Sequence, residues 1–101
     1  MRPTQSPLRY PGGKASFTEF FGKVLERNNL GGGLYAEPFA GGAGAAVGLL
    51  VSGHVDRIAI NDGDLRVFAF WKSALTNTRK FIKRIETTRI TIDEWNRQRE
   101  I

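Results

Sequence analysis

The sequence predicts an α/β protein built around one βαβ unit. Two short apolar stretches, Leu34–Glu37 and Ile58–Ile60, read as strands, and between them lie a glycine-rich turn and a small-residue helix. Glycine and charge divide the 101 residues the same way. Eleven of the 12 glycines precede His54, whereas the net charge of +5 sits entirely after residue 64. The first 64 residues carry six cations and six anions, and the remainder carries nine and four. This pattern predicts a neutral, turn-rich small-molecule site followed by basic helices facing an anion, or a solvated helical face.

Each element has a local reason. Pro3, Pro7 and Pro11 keep residues 1–13 extended, and Pro11-Gly12-Gly13 marks a turn. Ser16 and Glu19 have capping-box spacing, and Phe17, Phe20, Phe21, Val24 and Leu25 fall on one helical face. Asn28-Asn29 and Gly31–Gly33 end that helix. Pro38 closes the first strand, because it lacks the amide a central ladder needs. Residues 39–44 form the glycine-rich turn and 45–51 a helix, which Gly53 stops as a left-handed cap. The second strand ends at Asn61-Asp62. Asp64 then caps a third helix with Leu65, Phe68, Trp71 and Leu75 on its apolar side. A fourth helix starts near Thr78 with Phe81, Ile82 and Ile85, and a fifth at Thr91, where Thr91 and Glu94 repeat the capping-box spacing before Trp95. Trp71 and Trp95 read as core residues, and His54 as a loop position after the Gly53 cap.

Composition removes several function classes. With no Cys and one His, disulfide frameworks and thiolate or His-rich metal sites are excluded. The longest nearly apolar stretch, 43–51, is too short to span a bilayer, and the N-terminus lacks the apolar core of a secretory signal, so a cytoplasmic protein is expected.

Three motifs carry the chemistry. In Glu37-Pro38-Phe39-Ala40-Gly41-Gly42-Ala43-Gly44, the glycines let backbone amides approach a ligand at a helix N-terminus. The dinucleotide fingerprint fails at Val47, and the turn alone could simply pack a helix on a strand. Asp62 ends the second strand 20 residues after Gly42, where an acidic side chain commonly accepts from ribose hydroxyls. Together these point to a nucleotide-like ligand and leave a nicotinamide cofactor and S-adenosyl-L-methionine (SAM) both open. In Arg9-Tyr10-Pro11-Gly12-Gly13-Lys14, the phosphate-loop pattern fails at Leu8 and Ala15, leaving a turn lysine that can pair with a ligand carboxylate or stand in solvent.

Taken in chain order, Arg9–Lys14, then Glu37–Gly44, then Asn61-Asp62, the three motifs resemble the Dam-like, alpha-class DNA adenine methyltransferases. Asp64–Trp71 is similar to that family's helix after the acidic residue, and Thr91–Trp95 to the opening of its target-recognition insert. The resemblance implies an incomplete Rossmann-like SAM-dependent methyltransferase fold. Residues 1–77 would be the N-terminal part of the cofactor-binding catalytic domain and 78–101 the start of the helical insert. It implies that Tyr10 and Lys14 contact SAM, with Lys14 near the methionine carboxylate. Glu37, Phe39 and Gly41 would shape the pocket, and Asp62 would hold the ribose hydroxyls. Double-stranded DNA is the implied partner, with no metal and no membrane, and the chemistry is methyl transfer to the exocyclic amine of a flipped adenine. The settings of restriction-modification, repair and phage stay open.

The family's Asp-Pro-Pro-Tyr catalytic motif has no counterpart here, since the four prolines are Pro3, Pro7, Pro11 and Pro38. No catalytic residue is therefore assigned. The chain is expected to be an N-terminal piece of such an enzyme, inactive alone, which self-associates or needs a complementary segment to cover an open sheet edge. The alternatives are a non-enzymatic DNA-binding or cofactor-side remnant that works with a partner chain and, more weakly, a piece of a nicotinamide-dependent oxidoreductase.

Overall fold

In a computed structural model, residues 6–8 and 13–100 are described. They form a 3-10 turn (Ala15–Phe17), α1 (Thr18–Arg27), β1 (Leu34–Glu37), α2 (Gly44–Val51), β2 (Arg57–Ile60), α3 (Leu65–Thr76), α4 (Thr78–Thr87) and α5 (Ile92–Arg99). Both predicted strands are present. They pair in parallel, with Leu34 opposite Arg57 and Glu37 opposite Ile60, so both C-termini point the same way. The chain divides into two compact units, Met1–Phe68 and Ala69–Ile101.

In the first unit the buried core is small-residue and lies around α2. Ala40, Ala43, Ala45, Ala46, Leu49 and Val55 are each at most 5% exposed. Alanine and glycine here let α2 approach its neighbours closely. A Cβ placed on Gly48 would lie 2.8 Å from the Thr18 side chain of α1, and one on Gly22 would lie 2.7 Å from the His54 ring.

This packing corrects one expectation about α1. Its apolar face does not form the contact: Phe17, Phe20 and Val24 are 51%, 62% and 41% exposed, while Gly22 is buried. Periodicity locates the helix, but close packing selects the turn-spaced pair Thr18, which meets Gly48 of α2, and Gly22, which meets the His54 ring just after α2. Phe21 does pack inward, with its ring centroid 6.3 Å from that of Tyr35 on β1.

The Ser16–Glu19 capping box is also overturned. Ser16 lies inside the 3-10 turn, where the Phe17 amide donates to Lys14 O at 2.9 Å, and α1 starts with no side-chain cap. An N-cap residue must leave the helical region, and the 3-10 turn prevents that. Glu19 instead lies 4.0 Å from Lys23 one turn on.

The stop signals behave as expected. Helix α1 ends with left-handed Asn29 (φ 54°) and hydrogen bonds from Leu30 N to Leu25 O and from Asn29 N to Glu26 O. Helix α2 ends the same way on Gly53 (φ 81°), with His54 N bonded to Leu49 O and Gly53 N to Leu50 O. Both are Schellman motifs. His54 gains a role beyond the loop: its Nδ1 lies 2.7 Å from Ser52 Oγ and its Nε2 lies 3.2 Å from Glu26 Oε1, so it ties the end of α2 to α1.

In the second unit, Trp71 is 7% exposed and meets Phe70 edge-on, and Phe70 meets Phe81 of α4 in the same way at 5.5 Å. Trp95 departs from the core reading. It is 59% exposed with the Arg99 guanidinium 4.8 Å above its ring, because α5 has no buried residue for it to join. Thr91 caps α5 as expected, accepting from Glu94 N at 3.1 Å. The reciprocal half of the box does not form, because the Glu94 carboxylate takes Arg97 in a two-pronged pair and Gln98 as well. Arg97, then Gln98, hold the Glu94 carboxyl down at about 2, from an ordinary 4.5.

The α1–α2 contact generates a stability prediction. Gly48→Ala gains helix propensity of about 1 kcal/mol but drives a methyl into Thr18, an overpacking cost of about 1–3 kcal/mol. The expected net is a lower urea midpoint, restored in the Gly48→Ala/Thr18→Gly double variant. A higher midpoint for Gly48→Ala alone would show that the two helices are not in close contact there.

Candidate functional site at the strand ends

The parallel pairing continues past both strands and draws their C-terminal loops together. Asn61 N donates to Glu37 O at 2.9 Å and Ala40 N to Asn61 O at 2.8 Å, while Asn61 Nδ2 reaches Pro38 O at 3.3 Å. The glycine-rich turn thus starts directly beside the segment that carries Asp62. Gly41 (φ 53°) and Ala43 (φ 50°) both adopt left-handed backbone, and Ala43 immediately precedes α2. At Gly41 that conformation comes without a steric cost, whereas Ala43 carries a methyl into it.

Asp62 connects three parts of the site. Its Oδ2 accepts from Gly41 N at 2.8 Å and its Oδ1 from Asp64 N at 2.9 Å. It is half-buried, and each carboxylate oxygen keeps a second lone pair. Asp64 is the N-cap of α3, as the sequence predicts, accepting from Arg66 N at 2.8 Å. That backbone bond, ahead of the Arg66 charge, lowers the Asp64 carboxyl below the usual carboxylate range.

Glu37 is the buried charge of the site, 5% exposed. Tyr35 OH donates to its Oε1 at 2.8 Å, and Lys14 Nζ stands 3.9 Å from the same oxygen. Oε2 is buried with no hydrogen-bond partner among the described residues. A carboxylate oxygen left this way costs free energy unless a ligand or water supplies a donor. Burial first, then the bond to Glu37, pushes the Tyr35 phenol above its ordinary value, so Tyr35 stays a donor at all physiological pH.

Lys14 also donates to Phe39 O at 3.0 Å, which holds it over the turn. Phe39 itself is 74% exposed, so its ring is open to a ligand face rather than packed inside. The structure therefore brings Lys14, Glu37, Phe39, Gly41 and Asp62 to one end of the two strands. Tyr10 lies outside the described residues, with Arg9, Pro11 and Gly12.

Two contributors escape the motif reading. Tyr35 sits two residues before Glu37, and the period of two along a strand puts both on one face, which was the available signal. Ser6 Oγ donates to Gly42 O and accepts from Leu8 N at 3.1 Å, fastening the N-terminal segment to the turn. Only the general tendency of serine for local turns marks it in sequence.

Among the described residues no three His, Cys, Asp or Glu gather as a metal site, and no helix is long and apolar enough to cross a membrane. No curated protein and no solved structure matches the chain. The family model for the D12 class N6 adenine-specific DNA methyltransferases matches residues 10–100, which takes in the first motif from Tyr10 onward and the other two motifs whole. The chain accordingly belongs to that family of DNA adenine methyltransferases, the kinship that the order of its motifs implies.

Proposed function

We propose that residues 1–77 are the cofactor side of a Rossmann-like, SAM-dependent DNA adenine methyltransferase, and that 78–101 begin its target-recognition insert. The observation that carries the cofactor reading is the buried Oε2 of Glu37 at the strand ends, which has no partner among the described residues. It fits a ligand that brings an ammonium or other donor to a buried carboxylate, and the methionyl group of SAM has one. Lys14, held over the turn through Phe39 O, offers the matching cation for the methionine carboxylate. Asp62, fixed by two backbone amides, presents its remaining lone pairs to the ribose hydroxyls. Phe39 and Gly41 form the wall of the pocket, and Tyr10 joins the cofactor contacts. SAM, when bound, supplies an electrophilic methyl group on its sulfonium. The chain's own residues bind and orient the cofactor, and they include no group that accepts hydrogen bonds from the target amine in the Asp-Pro-Pro-Tyr manner.

The second reading, a cofactor-side or DNA-binding piece that works with a partner chain, is favoured by that missing motif and by the basic last third. The two readings share the cofactor site and part on chemistry.

Calorimetric titration with SAM, using NAD as control, tests the site. Selective SAM uptake is expected. Asp62→Asn should weaken it at least about tenfold, because an amide loses one acceptor and sets its NH₂ against a backbone N–H. Preferential NAD binding, or an Asp62→Asn variant that binds SAM unchanged, would contradict the assignment. Incubation of the 101-residue chain with labelled SAM and duplex DNA is expected to give no methylated adenine. Turnover by the chain alone would place catalytic groups within these residues.

A further inference from the structure

The net charge of the protein lies after residue 64, and α4 concentrates it. Arg79, Lys80, Lys83 and Arg84 stand at i, i+1, i+4 and i+5 of one helix, so they share one side, and all four are exposed; Glu86, at i+7, is exposed beside them, so the side carries four cations and one anion. Phe81, Ile82 and Ile85 occupy the other side, where Phe81 meets Phe70 of α3. Arg89 follows in the loop. Among the described residues none of these five cations has an acidic partner, whereas Lys14, Lys23, Arg66 and Arg97 each do. Like charges one turn apart destabilise a helix, and α4 bears them at Arg79/Lys83, Lys80/Lys83 and Lys80/Arg84. An external polyanion would relieve them.

The C-terminal end of this side opens into a cleft of about 510 Å³ between α4 and α5, where Arg84, Arg89 and Thr91 line the wall near α4 and the acidic Asp93 and Glu94 line the wall of α5. Thr91 Oγ1 already accepts the Glu94 amide, which leaves its hydroxyl hydrogen to donate. Arg97, on the same cleft, is engaged by Glu94, so the uncommitted cations are those of the α4 wall.

We propose that the Arg79–Lys80–Lys83–Arg84 side of α4, continued by Arg89 at the cleft, grips the phosphate backbone of duplex DNA without reading its sequence. The inference rests on the family's action on DNA and adds the surface that holds the duplex. Successive cations one turn apart rise by about 6 Å, a spacing that lets neighbouring side chains take different phosphates. Arginine can also read guanine, so comparing two duplex sequences distinguishes a backbone grip, which supplies affinity and position, from base readout.

The test uses the full chain and fluorescein-labelled duplexes of two unrelated sequences, with anisotropy measured across a salt series. The triple variant Arg79→Gln/Lys83→Gln/Arg84→Gln should lose affinity about tenfold or more at low salt. Its log K against log salt slope should flatten by about 2–3, and equally for both duplexes. The control triple Lys23→Gln/Arg27→Gln/Arg57→Gln removes the same charge from the first unit and should leave the slope within about one unit of wild type. Equal losses in the two triples, a loss confined to one duplex, or no DNA binding by wild type overturns the inference. Calorimetry with SAM on the same proteins separates the claims: an α4 triple that keeps SAM binding and an unchanged DNA slope sinks this surface alone. Failed SAM binding with the predicted slope change sinks the cofactor reading alone.

Discussion

The hydrogen bond from the Gly41 amide to the Asp62 carboxylate is the constraint on which the candidate site depends. It joins a turn that left-handed Gly41 lets fold back on itself to a side chain delivered by the neighbouring strand. The other oxygen of the same carboxylate receives Asp64 N, and Asp64 in turn caps α3. One half-buried acid therefore sets the shape of the turn, the exit from β2 and the start of the next helix. Hydrogen bonds to a charged acceptor contribute about 1.5–3 kcal/mol each, so these bonds are a large part of the local order. They exist because β1 and β2 run parallel in a register that ends both strands at the same level.

Glu37 and Asp62 make a useful contrast. Glu37 ends β1, Asp62 lies two residues beyond the end of β2, and both are acidic. Asp62 places each oxygen on a backbone amide, whereas Glu37 is buried with one oxygen on Tyr35 and Lys14 and the other unmet among the described residues. A protein that spends stability on an unpaired buried acceptor keeps it most economically where a ligand completes it. The surrounding groups suit a zwitterionic amino-acid moiety: a buried carboxylate for its ammonium, and a tethered lysine for its carboxylate. The same turn buries its alanines and leaves Phe39 exposed, so packing and recognition divide cleanly between adjacent residues.

Much of this was legible in the sequence, and the exceptions have physical causes. Strands, stop signals and the Asp64 and Thr91 caps follow from local rules that act within a few residues, and they hold. The Ser16 cap fails because a 3-10 turn starting from Lys14 already makes that stretch helical. The apolar face of α1 misleads because its contact here is decided by close approach: Gly48 of α2 lies against Thr18, and Gly22 leaves room for the His54 ring. Trp95 reads as core from its type alone, yet α5 is eight residues long with little else apolar, and its indole takes an arginine as cover. At the site, Glu37, Gly41 and Asp62 were visible through turn chemistry. Tyr35 and Ser6 fall outside the motifs: Tyr35 meets Glu37 two residues on along β1, a pairing only the strand period signals, and Ser6 meets Gly42, 36 residues away.

The central claim is that the strand ends of the first unit form the cofactor pocket. Amide chemical-shift mapping of the chain during SAM addition tests it most directly. The account predicts shifts concentrated at Glu37, Phe39, Gly41 and Asp62, with α4 and α5 unmoved. Shifts centred on the second unit, or none at the strand ends under saturating SAM, would contradict it.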